Sequence, residues 1–433
     1  MNLLKSLMIV FAATISATAL ATPQIQHWTT AKGARVYYIS APELPMVDMR
    51  VVFDAGSARD GRLPGLALLT NALLDAGIKG RDEEALAAHF EDLGAQYSAS
   101  AMRDMALVQL RSLSDEKLLV PALETFSQIV SAPRFPNKVL RRERERLLVG
   151  LKAKQESAGD LASEAFYAAL YPGHAYGRPT EGTARSLKAV SVDHLRAFHK
   201  RYYVANNAVI AIVGAVDRQR AEAMAEQVSS RLSSGRAARA IPQVKPLKAA
   251  QEKRIKHPSS QSHIMVGQTG MKRGDADYMA LYVGNHILGG SGFGSRIMSE
   301  IREKRGLAYS AYSYFAPMRQ PGPFMLGLQT RNDQVEIAHQ VLMQTLTEFV
   351  EQGPTKKELQ ASKKNITGGF PLRIDSNKDL VEYAAMIGFY GLPLDYLDTF
   401  NQQVEALSVE QIREAFQRRV NPKQMVTVIA GNS

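Results

Sequence analysis

The chain has 433 residues and no cysteine, and its 53 Lys and Arg against 42 Asp and Glu leave a formal net charge of +11. The missing thiols exclude disulfide staples and thiolate chemistry, and the length suits two or three domains better than one core. The positive charge is dispersed: its densest patch, Arg141-Arg142-Glu143-Arg144-Glu145-Arg146, mixes signs at helical spacing. That pattern describes a solvated helix face. With no module of interleaved aromatic and basic residues, nucleic-acid binding is set aside as a function class. Lys5, the apolar run Leu7–Ile15 and the small-residue site Ala19-Leu20-Ala21 predict a signal peptide over residues 1–21, with a cut after Ala19 as the alternative. No later stretch is apolar for long enough to span a bilayer. The mature chain is therefore expected to be exported, to the periplasm if the host is a Gram-negative bacterium.

In chain order, Arg35–Ser40 and Pro45–Phe53 read as strands, and Pro64–Asp75 as a helix with Leu66, Leu69 and Leu73 on one face and Gly77 beyond its end. Asp82–Leu93 is a second helix, and Gln96–Arg103 with Met105–Leu113 a strand pair meeting near Asp104. Lys117–Ser131, Asn137–Lys154 and Leu161–Leu170 are amphipathic helices, the last leading into the loop Tyr171–Gly177. Val192–Tyr203 is a helix and Ala208–Val213 a buried strand. The chain then repeats: Ser191-Val192-x-x-Leu195-Arg196 followed by the strand Val209–Gly214 returns 217 residues later as Ser408-Val409-x-x-Ile412-Arg413 followed by Val426–Gly431. Strand, loop and helix after Asp48 have a weaker echo in Ser262–Leu288. The pattern predicts an α+β chain of two homologous halves, 22–230 and 252–433, each a mainly antiparallel sheet packed with helices. The Pro-, Ala- and Arg-rich segment 231–251 is expected to connect them.

One stretch of the second half carries candidate chemistry. A helix is expected to end at Arg305, Gly306 to break it, and a strand to run over Leu307–Phe315. Arg302 then sits in the last helical turn and Tyr309 at the start of the strand, close enough to converge on one pocket. A guanidinium there offers forked donors to a peptide carbonyl or carboxylate, and a phenol can donate to a developing oxyanion. Equally, Arg302 can complement the helix dipole and Tyr309 can be a sheet aromatic. The glycine-rich Gly289-Gly290-Ser291-Gly292-Phe293-Gly294 follows a helical pattern and lacks the Lys-Ser or Lys-Thr of a phosphate cradle. It reads instead as a turn that lets the next helix pack closely.

Several segments in order resemble the pitrilysin/insulinase-type zinc peptidases, the inverzincins: GSARDGRLPGLALLTNALLDAG, DEEALAAHFEDLGAQYSASAMRD, YPGHAYGRPTEGT and ILGGSGFGSRIMSEIREKRGLAYSAYS. Active members of that family carry H-x-x-E-H on the first of these helices, two imidazoles one turn apart holding zinc and the Glu activating the bound water. Here the matching positions are Leu68, Asn71 and Ala72, and Gly150 stands where the third ligand is expected, with Glu143 retained one or two turns earlier as a salt-bridge partner. Elsewhere, His194 and His199 lie five residues apart, on different helix faces, and His174 in its Pro-Gly-His loop reads as a hydrogen-bonding residue. No intrinsic cofactor is expected.

The resemblance implies that Arg302 and Tyr309 are the pair that reaches over substrate at a zinc site, and that a homologous H-x-x-E-H subunit supplies the zinc. The expected protein is thus a catalytically incomplete, substrate-binding subunit of a heteromeric zinc metallopeptidase acting on peptides. The alternative is a non-enzymatic peptide-binding or scaffold protein of the same fold.

Overall fold

Two sheets of one plan carry the fold. The computed structural model describes residues 24–432, so the expected signal peptide lies outside the described residues. The first sheet runs Arg35–Ser40, Ala208–Gly214, Met46–Phe53, Ala106–Leu113, Gln96–Ala101, with Gln26–Thr29 added beyond Arg35–Ser40. The second runs Gln251–Lys256, Val426–Gly431, Gln261–Thr269, Pro323–Arg331, Ala308–Phe315. With Gln26–Thr29 set aside, and the strands of each sheet counted along the chain, both have the order first, fifth, second, fourth, third. In both, the first strand lies parallel to the fifth and the other pairings are antiparallel. The 217-residue repeat is therefore a repeat of topology. Ser191 and Ser408 cap the helices Val192–Tyr202 and Val409–Arg419, each with a reciprocal side-chain cap. The strands that follow are buried along their whole length.

The halves are joined by exchange. Helix Ala158–Leu170 of the first half packs on the second sheet, against Gln261–Thr269 and Val426–Gly431; helix Asn377–Tyr390 of the second half packs on the first sheet. Glycines permit both approaches. A Cβ on Gly267 would stand 2.8 Å from the Phe166 ring, and one on Gly388 would stand 2.5 Å from the Tyr37 ring. Two turns also meet at the junction: buried Asp104, between strands of the first sheet, accepts from the Arg319 backbone N–H at 2.7 Å and the Tyr390 hydroxyl at 3.2 Å, and from the Tyr176 hydroxyl.

The helix expected over Pro64–Asp75 is shorter, Leu66–Ala72. Gly65 takes φ +92° just before it, and the Pro64 carbonyl accepts from Ser186 Oγ at 2.7 Å. The chain thus turns two residues later than the proline suggests. The segment expected as a connector over 231–251 spans only 232–250, because Arg231 ends a helix and Gln251 opens a strand. It is no free tether. Arg59 and Arg201 donate to the carbonyls of Arg239 and Arg236, Asn207 accepts from the Ala238 N–H, and Ile241 is buried against the first-half helix Ala158–Leu170.

Candidate functional site

The first-half helix faces strand Gln96–Ala101 but carries no ligand set. Leu68 is half-buried, Ala72 exposed, and Asn71 buried, its amide donating to the Leu107 carbonyl at 3.3 Å and the Tyr203 hydroxyl at 3.2 Å. The one polar side chain of the three is therefore spent on the core. Upstream, the Asp60 carboxylate accepts from the backbone N–H groups of Gly65 and Ala67, and burial outweighs those donors and pushes its pKa up to about 7. Gly150 is exposed on helix Asn137–Gln155, and Glu143 is held by Arg146 at 2.7 Å and Arg142 at 3.3 Å, the salt-bridge role expected of it. Among the described residues no three His, Asp or Glu side chains are placed to share a metal ion. Two aliphatic side chains and a committed amide do not fit zinc.

The three histidines weighed from the sequence, His174, His194 and His199, have structural partners. His174 Nδ1 accepts from the Tyr176 N–H at 3.1 Å and Nε2 lies 3.0 Å from the Pro242 carbonyl, so the ring pins its loop to the connector. His194 serves the cap at Ser191. His199 donates from Nε2 to the Val130 carbonyl at 2.9 Å and stacks on Tyr203; burial pushes its pKa down to about 4 from 6.5. The folded chain keeps this ring neutral down to about pH 4, whereas the unfolded ring binds a proton from pH 6.5 downward. Stability is therefore lost as pH falls through that window. The wild type is expected to lose roughly 3 kcal/mol more than His199→Gln between the two ends, read from urea unfolding at each pH.

In the second half, Ser295 caps the turn Arg296–Met298, which widens into a π-helical turn, Ser299–Glu303. Glu300 pairs with Lys304 and Arg305, the two neighbouring cations, and its pKa is lowered chiefly by the Lys304 hydrogen bond. Gly306, at φ +62°, reverses the chain into the edge strand Ala308–Phe315. There Tyr309 and Ser310 form a bulge, because the register steps from Ala308↔Thr330 to Ala311↔Leu328. The bulge turns Tyr309 outward, 82 % exposed. Arg302 and Tyr309 do meet: the guanidinium carbon lies 4.6 Å from the Tyr309 ring centroid and 4.6 Å from that of Phe293.

Phe293 was not singled out from the sequence. Its signal is a large aromatic amid glycines, where no core could hold it. The glycines before it serve close packing: a Cβ on Gly289 would stand 2.4 Å from Ser313 Oγ.

Residues 35–184 match the family model described as insulinase (peptidase family M16), and residues 189–366 match that of the peptidase M16 inactive domain. A crystal structure titled as a peptidase M16 inactive domain from Pseudomonas fluorescens is 44% identical and superposes with a TM-score of 0.92 over 94% of this chain and 98% of that one. An uncharacterised zinc protease of Mycobacterium leprae is 26% identical over 92% of this chain and 89% of its own, and a protein of Helicobacter pylori named a non-peptidase homologue is 24% identical over 90% of each. The chain belongs to the M16 peptidase family, and in it the helix at which active members hold zinc is kept as a fold element without the ligands.

Proposed function

We propose that this protein is the zinc-less, substrate-binding subunit of an exported heteromeric metallopeptidase, working with an H-x-x-E-H homologue. The observation that carries the reading is the Arg302–Tyr309 pair, presented to solvent beside an unpaired strand edge while the first-half helix offers no metal donors. Strand Ala308–Phe315 pairs with one strand only, Pro323–Arg331; on its other side the Ser313 carbonyl accepts from the Asn285 amide at 3.0 Å and the Ala311 N–H meets Met298 Sδ at 3.3 Å, which leaves the exposed bulge at Tyr309 and Ser310 as the part of the edge open to an extended peptide. A scaffold has no use for an exposed phenol stacked on a guanidinium at such an edge. In the assembled pair, zinc in the partner would polarise the scissile carbonyl, Tyr309 would donate to its oxygen as charge builds, and Arg302 would hold the phenol in place.

The test is to purify the chain alone and with its zinc-bearing homologue, and to measure bound zinc and peptide cleavage in each. Zinc and cleavage only when the homologue is present are expected. Stoichiometric zinc in the isolated chain with chelator-sensitive hydrolysis would overturn the proposal, and so would a homologue that cleaves equally well without this chain.

A further inference from the structure

The second half has its own cleft at the place where, in the first half, helix Leu66–Ala72 faces strand Gln96–Ala101. Here helix Tyr278–Asn285 and the π-turn His286–Gly290 face the edge strand Ala308–Phe315. The space between them is a cavity of about 600 Å³ whose wall contains Arg273 and Arg373 and neither Asp nor Glu. A second cavity of about 810 Å³, reaching between the halves, shares Arg273, Phe315, Pro317 and Arg373 with it. The two cavities share this stretch of wall, with both arginines on it.

The two guanidiniums have no carboxylate partner among the described residues. The acids nearest to Arg273 in the chain, Asp275 and Asp277, are taken by Arg418 and Arg419. In the larger cavity Glu382 pairs with Arg50, Asp379 accepts from Ser376, and Asp104 is buried under the donors of the junction. Arg273 lies among aromatic rings, 5.9 Å from the Tyr278 centroid and 5.7 Å from that of Tyr390, and its Nε is out of reach of water with no hydrogen-bond partner. Arg373 donates to the Tyr282 hydroxyl at 2.6 Å, which leaves most of its fork free. By contrast, Arg59 has Asp54 and Arg296 has Glu358. Two cations without a carboxylate partner on one wall, Arg273 half-buried and Arg373 more exposed, concentrate a positive potential that an anion relieves.

We infer that this cleft binds the carboxylate of a peptide, held in the forks of Arg273 and Arg373. The forks match a carboxylate two donors at a time. Phe315 ends the edge strand and lines both cavities, so a peptide passing over that strand from the bulge at Tyr309 brings its end to the two arginines. Tyr312 and Tyr314, stacked at 5.9 Å, supply the apolar flank for the residues next to it. The inference rests on the peptide-binding reading above and adds what the second half selects.

The test uses the whole chain and three fluorescein-labelled peptides of alanine, valine and tyrosine, followed by anisotropy. One has a free C-terminus, one the C-terminal amide, and one the amide with a penultimate Glu. The free acid or the Glu peptide is expected to bind at least about tenfold more tightly than the neutral amide, and whichever does so identifies the carboxylate as terminal or side-chain. The preference is expected to vanish in the Arg273→Gln/Arg373→Gln double variant and to survive Arg146→Gln, at a surface arginine of the first half that lines neither cavity. Equal binding of all three by the wild type, which needs no variant to fold, would overturn the inference and leave peptide binding standing; so would a preference that survives the double variant. Failure of all three to bind would overturn both.

Discussion

Tyr309→Phe is expected to lower peptide turnover by the assembled pair about 10²–10³-fold in kcat while leaving assembly intact. The substitution removes one hydroxyl from a ring that is 82 % exposed and stacked on Arg302. The stack, the bulge and the strand pairing all persist in the variant, so the fold has nothing to lose. In the proposed mechanism what is lost is a donor to the oxygen on which charge accumulates, an interaction stronger in the transition state than in the ground state, and the effect should therefore fall on kcat rather than on KM. Turnover assays on the variant paired with the zinc-bearing homologue, with assembly followed by size-exclusion chromatography, separate the two quantities. Unchanged hydrolysis would remove Tyr309 from the mechanism, and an equal loss of assembly would make it an interface residue instead.

Phe166→Ala should destabilise the chain by about 3–5 kcal/mol. The ring is fully buried on helix Ala158–Leu170 and fills the space that Gly267 leaves in the second sheet. Truncation leaves a cavity that neighbouring backbone cannot close. Because that helix belongs to the first half and its sheet to the second, the loss should appear as a shift of one cooperative urea transition. A separate early transition would show that the halves unfold independently. Val149→Ala, at a side chain 70 % exposed, is the control and should stay within about 0.5 kcal/mol of wild type.

Much of the plan was legible in local pattern. Strand Arg35–Ser40 was found with its correct ends, and the Ser191 and Ser408 repeats marked the corresponding caps of two like halves, because caps and hydrophobic periods are short-range properties. Arg302 and Tyr309 could be paired across a single turn for the same reason. The helix expected over Pro64–Asp75 runs only over Leu66–Ala72, and at its start this is because Pro64 signals a helix locally while its carbonyl is claimed by Ser186, 122 residues away. Phe293 went unnoticed because its partner, a guanidinium, is contributed by the next helical turn after a glycine-rich bend.

Residue identity by itself determined the two-fold α+β plan, and it determined that Leu68, Asn71 and Ala72 offer no imidazole or carboxylate, since donor chemistry belongs to the side chain wherever it folds. Tertiary structure alone decided that the halves trade helices, that the segment 232–250 lies strapped to the first half, and that Arg273 and Arg373 share one cleft wall without a counter-charge. Those facts depend on residues about a hundred or more positions apart, and only packing says which of many possible partners a side chain meets.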